Sequence, residues 1–330
     1  MNYRQFGKTD LRVSEIGFGA WAIGGPAMAG EIPIGWGPVS DQQSRDALRS
    51  AVEYGINFFD TADFYGLGHS EALLGDTFGN SSEVIIATKV GHRLSDQKEI
   101  YVDYSKSYII EACEQSLQRL KRDSIDFYQL HTAKVHHLLN GECIEAMEDL
   151  KKSGKIRYWG LSLNTFAPEP EAEFMMVEKL GNGFQLVLNM INQQALPIIK
   201  KAGKEGYGTI VRMPLQFGLL TGKFDPSTRF SKDDHRSFRL TPQILNESKS
   251  ALDNIWPLSK RYGMTPTQFS LSFLLGFKEV STIIPGMKTK EQVIENTTNL
   301  IRLNNKDQEL IIGKYKDTFQ PIVRSMELAG

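Results

Sequence analysis

Residues 55–66 read Gly-Ile-Asn-Phe-Phe-Asp-Thr-Ala-Asp-Phe-Tyr-Gly, a short apolar strand that ends in an aspartate and continues into a polar turn. An amphipathic helix, Gln42–Tyr54, precedes this strand, and a second helical pattern, Ser70–Phe78, follows it. A helix on each side of a short apolar strand is typical of a β/α unit in a parallel sheet. Asp60 ends the strand and Tyr65 comes five residues later, so both side chains are predicted to lie at one edge of that sheet.

The alternation of short apolar strands and amphipathic helices continues along the chain. The candidate strands are Ile16–Phe18, Asn57–Phe59, Val84–Thr88, Ile125–Leu130, Tyr158–Leu161, Phe184–Asn189, Thr209–Val211 and Thr282–Ile284. The helical patterns between them are Gln42–Tyr54, Ser70–Phe78, Ser105–Leu120, Ile144–Lys152, Glu169–Leu180, Leu196–Glu205 and Thr267–Phe277. Eight such units predict a single (β/α)8 TIM barrel domain over residues 1–330, preceded by an N-terminal β-hairpin at Tyr3–Phe6 and Leu11–Val13. The charged stretch Phe224–Gly263 is either a large loop with helical pieces or an inserted subdomain.

The composition predicts a globular protein whose partner is a small molecule. Lys plus Arg (38) nearly balances Asp plus Glu (39), which leaves no charged footprint for nucleic acid or an anionic membrane. No apolar run reaches the ~18 residues of a membrane span, and the N-terminus lacks the apolar core of a signal peptide. Cys113 and Cys143 have no metal-ligand spacing. We expect a cytoplasmic protein without a metal site, and the sequence does not determine its oligomeric state.

Polar residues follow several strands at the point where each strand ends. Asp60, Lys89, His131 and Ser162 follow the second, third, fourth and fifth strands. Because the active sites of such barrels form at the carboxyl ends of the strands, these side chains are predicted to surround one mouth of the barrel. An ammonium at the end of a buried strand is costly unless it is paired, and Asp60 is the natural partner of Lys89.

Tyr65 adds a group suited to proton transfer. A phenol in water is a weak acid with a pKa of about 10, and an adjacent cation stabilises its ionised form. A lysine held beside Tyr65 by Asp60 would therefore make it a general acid for a developing alkoxide, with His131 binding the substrate oxygen. Taken singly, Asp60 could cap a helix, and Tyr65 or His131 could be core residues. The four residues together favour a catalytic site.

Five separated stretches resemble motifs of the aldo-keto reductase superfamily, and they occur in the order that the family shows. They are Leu11–Gly19, Asn57–Gly66, Ile86–Val90, Tyr128–His131 and Ile284–Asn296. The chain is most similar to the bacterial branch of general aldehyde or sugar reductases. The resemblance implies an oxidoreductase that reduces carbonyls to alcohols, with Asp60, Tyr65, Lys89 and His131 as catalytic residues and Tyr65 as general acid.

The same resemblance implies NADPH as cofactor, extended across the barrel mouth. No G-x-G-x-x-G sequence follows a strand, so a Rossmann site is not supported. The implied cofactor positions are Gly19, Ala20, Trp21, Asp60, Ser162, Asn189, Arg212, Pro214, Leu215, Gly218, Thr221, Lys223, Gly286, Met287, Lys288, Gln292, Glu295 and Asn296. Lys288 would meet the 2′-phosphate that distinguishes NADPH from NADH. The implied substrate positions are Trp21, Tyr65, His131 and Trp36, although Trp21 could be rim packing and Trp36 a loop anchor.

Three positions depart from the family pattern. Leu163 follows the serine where many members read Ser-Asn. Leu188 aligns with the glutamine expected at the end of the sixth strand, which leaves Asn189 as the nearest amide. Arg212 lies where many relatives carry an aromatic residue, and a planar guanidinium could stack there or reach a pyrophosphate.

Two other functions fit parts of the pattern. The potassium-channel β subunits resemble the same superfamily and use the bound nicotinamide cofactor as a redox sensor, which makes a regulatory protein the alternative. Those subunits carry Asn where this chain has His131. A glycoside hydrolase barrel would need two carboxylates about 5 Å or about 6.5–9.5 Å apart. Asp60 and Asp63 are available for that chemistry, but Lys89 would then have no role.

Overall fold

A computed structural model describes residues 1–329 and contains eight parallel strands arranged in a barrel. In chain order the barrel strands are Phe18–Gly19, Phe58–Asp60, Ile85–Val90, Ile125–His131, Ile156–Ser162, Gly183–Val187, Gly208–Arg212 and Thr282–Ile284. Each strand pairs in parallel with the next. Single parallel bridges from Ile16 to Ile283 and from Gly19 to Gly286 connect the first strand to the eighth. The predicted (β/α)8 fold is confirmed.

The helices alternate with the strands, and their buried faces form the main apolar core with the outer faces of the strands. The α-helices are Asp41–Glu53, His69–Phe78, Lys106–Leu120, Val135–Asn140, Glu142–Lys152, Glu169–Val177, Leu196–Glu205, Arg236–Arg239, Pro242–Leu252, Trp256–Arg261, Pro266–Leu275, Lys290–Thr297, Asn305–Gly313 and Gln320–Ala329. The stretch Phe224–Gly263 contains three of these helices, which agrees with the prediction of a large loop with helical pieces. None of the helices within residues 1–329 combines the length and the apolar composition needed to cross a membrane.

The N-terminal hairpin closes one end of the barrel. Its strands, Tyr3–Gln5 and Arg12–Ser14, are antiparallel, and the turn between them buries Phe6 completely. The ring of Phe6 meets the ring of Phe127 edge-on at 4.9 Å and packs against the first residues of the sixth and seventh strands. A Cβ on Gly208 would lie 2.5 Å from Phe6, so only glycine admits the ring there. Because the hairpin covers the amino ends of the strands, the open mouth lies at their carboxyl ends.

The observed bounds differ from the predicted ones at seven of the eight strands, including the first and the sixth. The first strand is Phe18–Gly19 rather than Ile16–Phe18, and the sixth strand ends at Val187 rather than at Asn189. The side chain of Asn189 explains the second difference. Its Oδ1 accepts hydrogen bonds from the backbone N–H groups of Ile191 (2.9 Å) and Asn192 (2.8 Å), which turns the chain away from the sheet.

Two short hairpins lie in the loops at the mouth. The segment Gly24–Pro38 contains the paired strands Met28–Ala29 and Ile32–Pro33. A second hairpin, His92–Leu94 with Ile100–Val102, follows the third barrel strand and was not predicted. Both hairpins contribute residues to the cavity at the mouth.

Candidate active site

Lys89 is the centre of a buried hydrogen-bonded cluster at the carboxyl end of the third strand. Its side chain is fully buried, and Nζ donates to Asp60 Oδ2 at 2.7 Å, to the Thr61 carbonyl at 2.7 Å and to Tyr65 Oη at 3.2 Å. Burial disfavours the ammonium, but the Asp60 carboxylate and Tyr65 outweigh that cost and raise the pKa of Lys89. Lys89 is therefore a fixed cation beside the phenol.

Two glutamines complete the partners of Asp60. Its Oδ1 accepts hydrogen bonds from Gln129 Nε2 at 3.1 Å and from Gln185 Nε2 at 2.6 Å. Neither glutamine was predicted as a site residue, because each lies inside an apolar strand pattern. The sixth strand thus places the amide of Gln185 on the cavity wall. The family pattern has its amide at the position of Leu188, three residues later.

A pair of stacked imidazoles forms the side of the cavity next to Tyr65. His131 lies 6.2 Å from Tyr65 between ring centroids, and His92 stacks on His131 at 4.2 Å with an interplanar angle of 26°. The Thr132 hydroxyl donates to the His131 carbonyl at 2.6 Å, so it accepts from His92 Nε2 at 3.0 Å. Thr132 has φ 67°, an unusual conformation for a β-branched residue, and its N–H is fixed on the Ser162 carbonyl at 2.9 Å.

Both imidazoles are neutral near pH 7. Burial lowers the pKa of His92 to about 4, and the nearby Lys89 cation acts in the same direction. Burial also holds the pKa of His131 well below its usual range, with smaller contributions from His92 and Lys89. A neutral imidazole can donate one hydrogen bond, which suits it to orient a carbonyl oxygen.

Three residues of the predicted catalytic group, Asp60, Tyr65 and His131, line a cavity of about 590 Å³, a size typical of small-molecule sites. The predicted positions on its wall are Gly19, Trp21, Trp36, Asp60, Tyr65, His131, Arg212, Pro214, Leu215, Gly218, Thr221, Lys223, Gly286, Lys288 and Gln292. Six others lie outside the wall formed by residues 1–329: Ala20, Ser162, Asn189, Met287, Glu295 and Asn296. Lys89 lies directly behind the wall.

The six positions outside the wall have structural partners or are packed away. Asn189 is fully buried and its Nδ2 donates to the Met213 carbonyl at 3.0 Å, so it supports the loop after the seventh strand. Glu295 accepts from Lys223 at 3.5 Å. The other four, Ala20, Ser162, Met287 and Asn296, are buried. These six positions therefore stay predictions, and within residues 1–329 they lie outside the wall of this cavity.

Aromatic residues form another part of the wall. Trp21 stacks on Tyr65 at 5.7 Å and on His235 at 4.5 Å, and Trp36 meets His235 edge-on at 4.4 Å. Trp21 Nε1 donates to the Ile34 carbonyl at 3.0 Å, which fixes the indole on the rim. Trp21 is therefore both rim packing and cavity wall, and Trp36 both holds the loop and lines the cavity.

The remaining part of the wall contains basic side chains and glycines. Lys288 is half-buried and forms no ion pair within the part of the chain that the structure describes. Burial lowers its pKa, and the neighbouring Arg236 acts in the same direction, so an anion bound there would relieve an existing cost. A Cβ on Gly286 would meet nothing within 4 Å, which leaves open space beside the wall. These features fit a phosphate-bearing dinucleotide.

Arg212 has protein partners that hold its guanidinium in the wall. Nη2 donates to the Leu163 carbonyl at 3.0 Å and to Thr165 Oγ1 at 3.1 Å. Burial lowers the pKa of Arg212. Many relatives carry an aromatic residue where this chain has Arg212, and here the Leu163 carbonyl holds the guanidinium in place. Leu163 also differs from the family pattern.

A single acidic residue, Asp60, belongs to the cavity wall among residues 1–329. Its carboxylate oxygens already accept from Lys89, Gln129 and Gln185. The pair of carboxylates that a glycoside hydrolase needs is therefore absent from this wall.

Comparisons with known proteins give matches along most of the chain. The model of the aldo/keto reductase family matches residues 15–315. The uncharacterized oxidoreductase YqkF of Bacillus subtilis (strain 168) is 30% identical over 311 residues, which span 93% of this chain and 94% of that protein. L-galactose dehydrogenase of Arabidopsis thaliana is 29% identical over 326 residues, which span 93% of this chain and 91% of that protein.

Solved structures show the same fold. The holo form of aldo-keto reductase AKR11C1 from Bacillus halodurans is 27% identical, with a TM-score of 0.75 over 96% of this chain and 97% of that one. The glycerol dehydrogenase AKR11B4 from Gluconobacter oxydans is 26% identical, with a TM-score of 0.79 over 94% of both chains.

Proposed function

The chain belongs to the aldo/keto reductase family, and we propose that it reduces an aldehyde or ketone to the alcohol with NADPH as reductant and Tyr65 as proton donor. The hydrogen bonds of Lys89 carry this proposal. An ammonium has three hydrogens, and Lys89 directs them to Asp60, Thr61 and Tyr65. The phenol oxygen therefore accepts from Lys89, and its own hydrogen stays available to a substrate oxygen in the cavity.

The other residues of the site position and polarise the carbonyl. Neutral His131 lies beside Tyr65 on the cavity wall, with 6.2 Å between the two ring centroids, and can donate one hydrogen bond to the same oxygen. As negative charge develops on that oxygen, Tyr65 transfers its proton, and the Lys89 cation stabilises the phenolate left behind. Asp60 keeps Lys89 in place through the reaction. The same groups serve alcohol oxidation in reverse, the direction for which the similar glycerol and L-galactose dehydrogenases are named.

NADPH, when bound, supplies the hydride that the carbonyl carbon accepts. Lys288 and Lys223 would hold its phosphate groups, and the open backbone at Gly286 would let it approach the wall closely. The ammonium of Lys288 has no protein carboxylate as partner within residues 1–329, which favours the additional phosphate of NADPH over NADH.

The test is NADPH oxidation with an aromatic aldehyde by the wild type and by Tyr65→Phe. We expect the variant to lose turnover by at least about a hundredfold, because general acid catalysis contributes on that order. NADPH affinity, measured by fluorescence titration, should stay within about threefold. Tyr158→Phe is the matched control, because the Tyr158 hydroxyl donates to Asp10 at 3.1 Å in an exposed contact and does not line the cavity.

Three results are decisive. Turnover by the wild type that is lost in Tyr65→Phe, with binding intact, would support both the reductase and the proton donor. Turnover that survives in the variant would show that another group is the acid. NADPH binding with a single oxidation and no multiple turnover would contradict a reductase and favour the redox-sensing alternative.

A further inference from the structure

The outer part of the cavity is lined by apolar side chains from the two rim hairpins and the segments next to them. These side chains are Trp21, Ile32, Ile34, Trp36, Phe64 and Ile100. Ile32 is 55% exposed and Ile100 is 44% exposed, so much of the surface of both side chains is accessible to a bound molecule. Scattered exposed apolar residues are ordinary, but these lie together on the wall of one cavity.

Polar groups near this wall are already engaged. Trp21 Nε1 donates to the Ile34 carbonyl, and the Thr132 hydroxyl donates to His131 and accepts from His92. Asp60, whose oxygens are occupied by Lys89 and two glutamines, is the sole acidic residue on the wall in residues 1–329. The indole of Trp21, the hydroxyl of Thr132 and the carboxylate of Asp60 are therefore not available to sugar hydroxyls.

The polar atoms still open on this side are few. Trp36 Nε1 and the two ring nitrogens of His235 are buried and have no hydrogen-bond partner among the described residues. The same holds for His131 Nδ1, Gln185 Oε1 and Arg212 Nε elsewhere on the cavity wall. None of these side-chain atoms belongs to the two rim hairpins, Met28–Pro33 and His92–Val102. A chain of hydroxyl groups that lies along the hairpins would leave several without partners, and each buried hydroxyl without a partner costs on the order of 1–3 kcal/mol.

From this wall we infer that the substrate is an aldehyde or ketone with an apolar alkyl or aryl body, in preference to a polyhydroxylated carbonyl such as an aldose. The inference rests on the proposed reductase function and narrows it to a substrate class. Tyr65 and His131 bind the reacting oxygen, and the rim hairpins receive the apolar body. Ile32 and Ile100 set this preference because they extend the apolar wall beyond the reacting centre.

The test compares kcat/KM for propanal, butanal, pentanal, hexanal and glyceraldehyde with NADPH at saturation. Concentrations are corrected for the unhydrated aldehyde fraction by NMR. We expect kcat/KM to rise by about fourfold for each added CH2, the factor that corresponds to its burial. Butanal should exceed glyceraldehyde by on the order of tenfold or more, since a hydroxyl that lies against the rim hairpins loses water without gaining a partner.

Variants of the wall identify its contribution. Ile100→Thr and Ile32→Thr keep a β-branched shape and add a hydroxyl, and each should lower the ratio of kcat/KM for hexanal to that for glyceraldehyde by about threefold or more. Ile301→Thr is the matched control, because Ile301 is 52% exposed and lies away from the wall. It should leave the ratio unchanged. The wild-type series tests the substrate class even if a variant fails to fold.

The outcomes separate this inference from the reductase proposal. Glyceraldehyde turned over as efficiently as butanal, or a flat response to chain length, would overturn the apolar class and leave the reductase standing. An equal change of the ratio in Ile301→Thr would overturn the assignment of the rim residues. Lack of turnover with every carbonyl would overturn the reductase proposal and this inference with it.

Discussion

Replacing Lys89 by methionine would leave the Asp60 carboxylate buried without a counter-charge. Asp60 is 2% exposed and Lys89 is fully buried, so water cannot substitute for the lost partner. Removing one member of a buried ion pair costs about 3–5 kcal/mol. We expect a value near the lower end, about 3 kcal/mol, because the carboxylate keeps hydrogen bonds from Gln129 and Gln185, each of which stabilises the charge.

This loss is measurable by thermal unfolding. The unfolding entropy of about 2.1 cal/mol/K per residue, applied to 330 residues, gives roughly 0.7 kcal/mol/K, so the variant should melt about 4 °C below the wild type. The double variant Asp60→Asn with Lys89→Met removes both charges and should recover most of the loss. Urea denaturation at pH 7 provides the free energies for the double-mutant cycle. Additive losses, with no recovery in the double variant, would refute the reasoning.

Three further predictions concern the walls of the cavity. Lys288→Met should weaken NADPH binding by about tenfold and leave NADH binding unchanged, whereas the exposed Lys290→Met should change neither; equal weakening of both cofactors would contradict a phosphate contact. Burial lowers the pKa of His235 to about 3, so its stabilising contribution is complete above the unfolded pKa of about 6.5 and is lost as the pH falls towards 3. Urea denaturation should show that the wild type loses about 3 kcal/mol more unfolding free energy than His235→Phe when the pH falls from 7 to 4. Equal losses would contradict this prediction. His92→Phe keeps an aromatic ring in the stack but loses the hydrogen bond to Thr132; kcat should fall by about tenfold at unchanged NADPH affinity, and wild-type kcat would disprove a positioning role.

The barrel could be predicted because each strand is a short apolar run with a helical pattern after it. Thr282–Ile284 was predicted with the bounds that the structure shows, since the sheet around it is buried on both sides. The hairpin His92–Leu94 with Ile100–Val102 was missed because its second strand is exposed and has no apolar alternation. Its position depends on packing at the mouth rather than on local pattern.

The predicted site residues came from a rule about strand ends, and the structure brings three of them, Asp60, Lys89 and His131, to one mouth of the barrel. The rule could not find Gln129 or Gln185, because both lie within strands whose pattern indicates core. Their role depends on the register across the barrel, where Gln129 pairs with Lys89 on the neighbouring strand. A single sequence does not contain that register explicitly.

The buried cluster around Asp60 also specifies the register on which it depends. It joins the second, third, fourth and sixth strands through Lys89, Gln129 and Gln185. Side chains alternate between the faces of a strand, so a slip of one residue would turn Lys89 away from Asp60 and leave both charges unpaired. Formation of the proposed proton-donor site therefore requires the strand register that closes the barrel. Changes at the glutamines should lower stability and turnover together, whereas changes at a rim residue such as Ile100 should alter substrate choice alone.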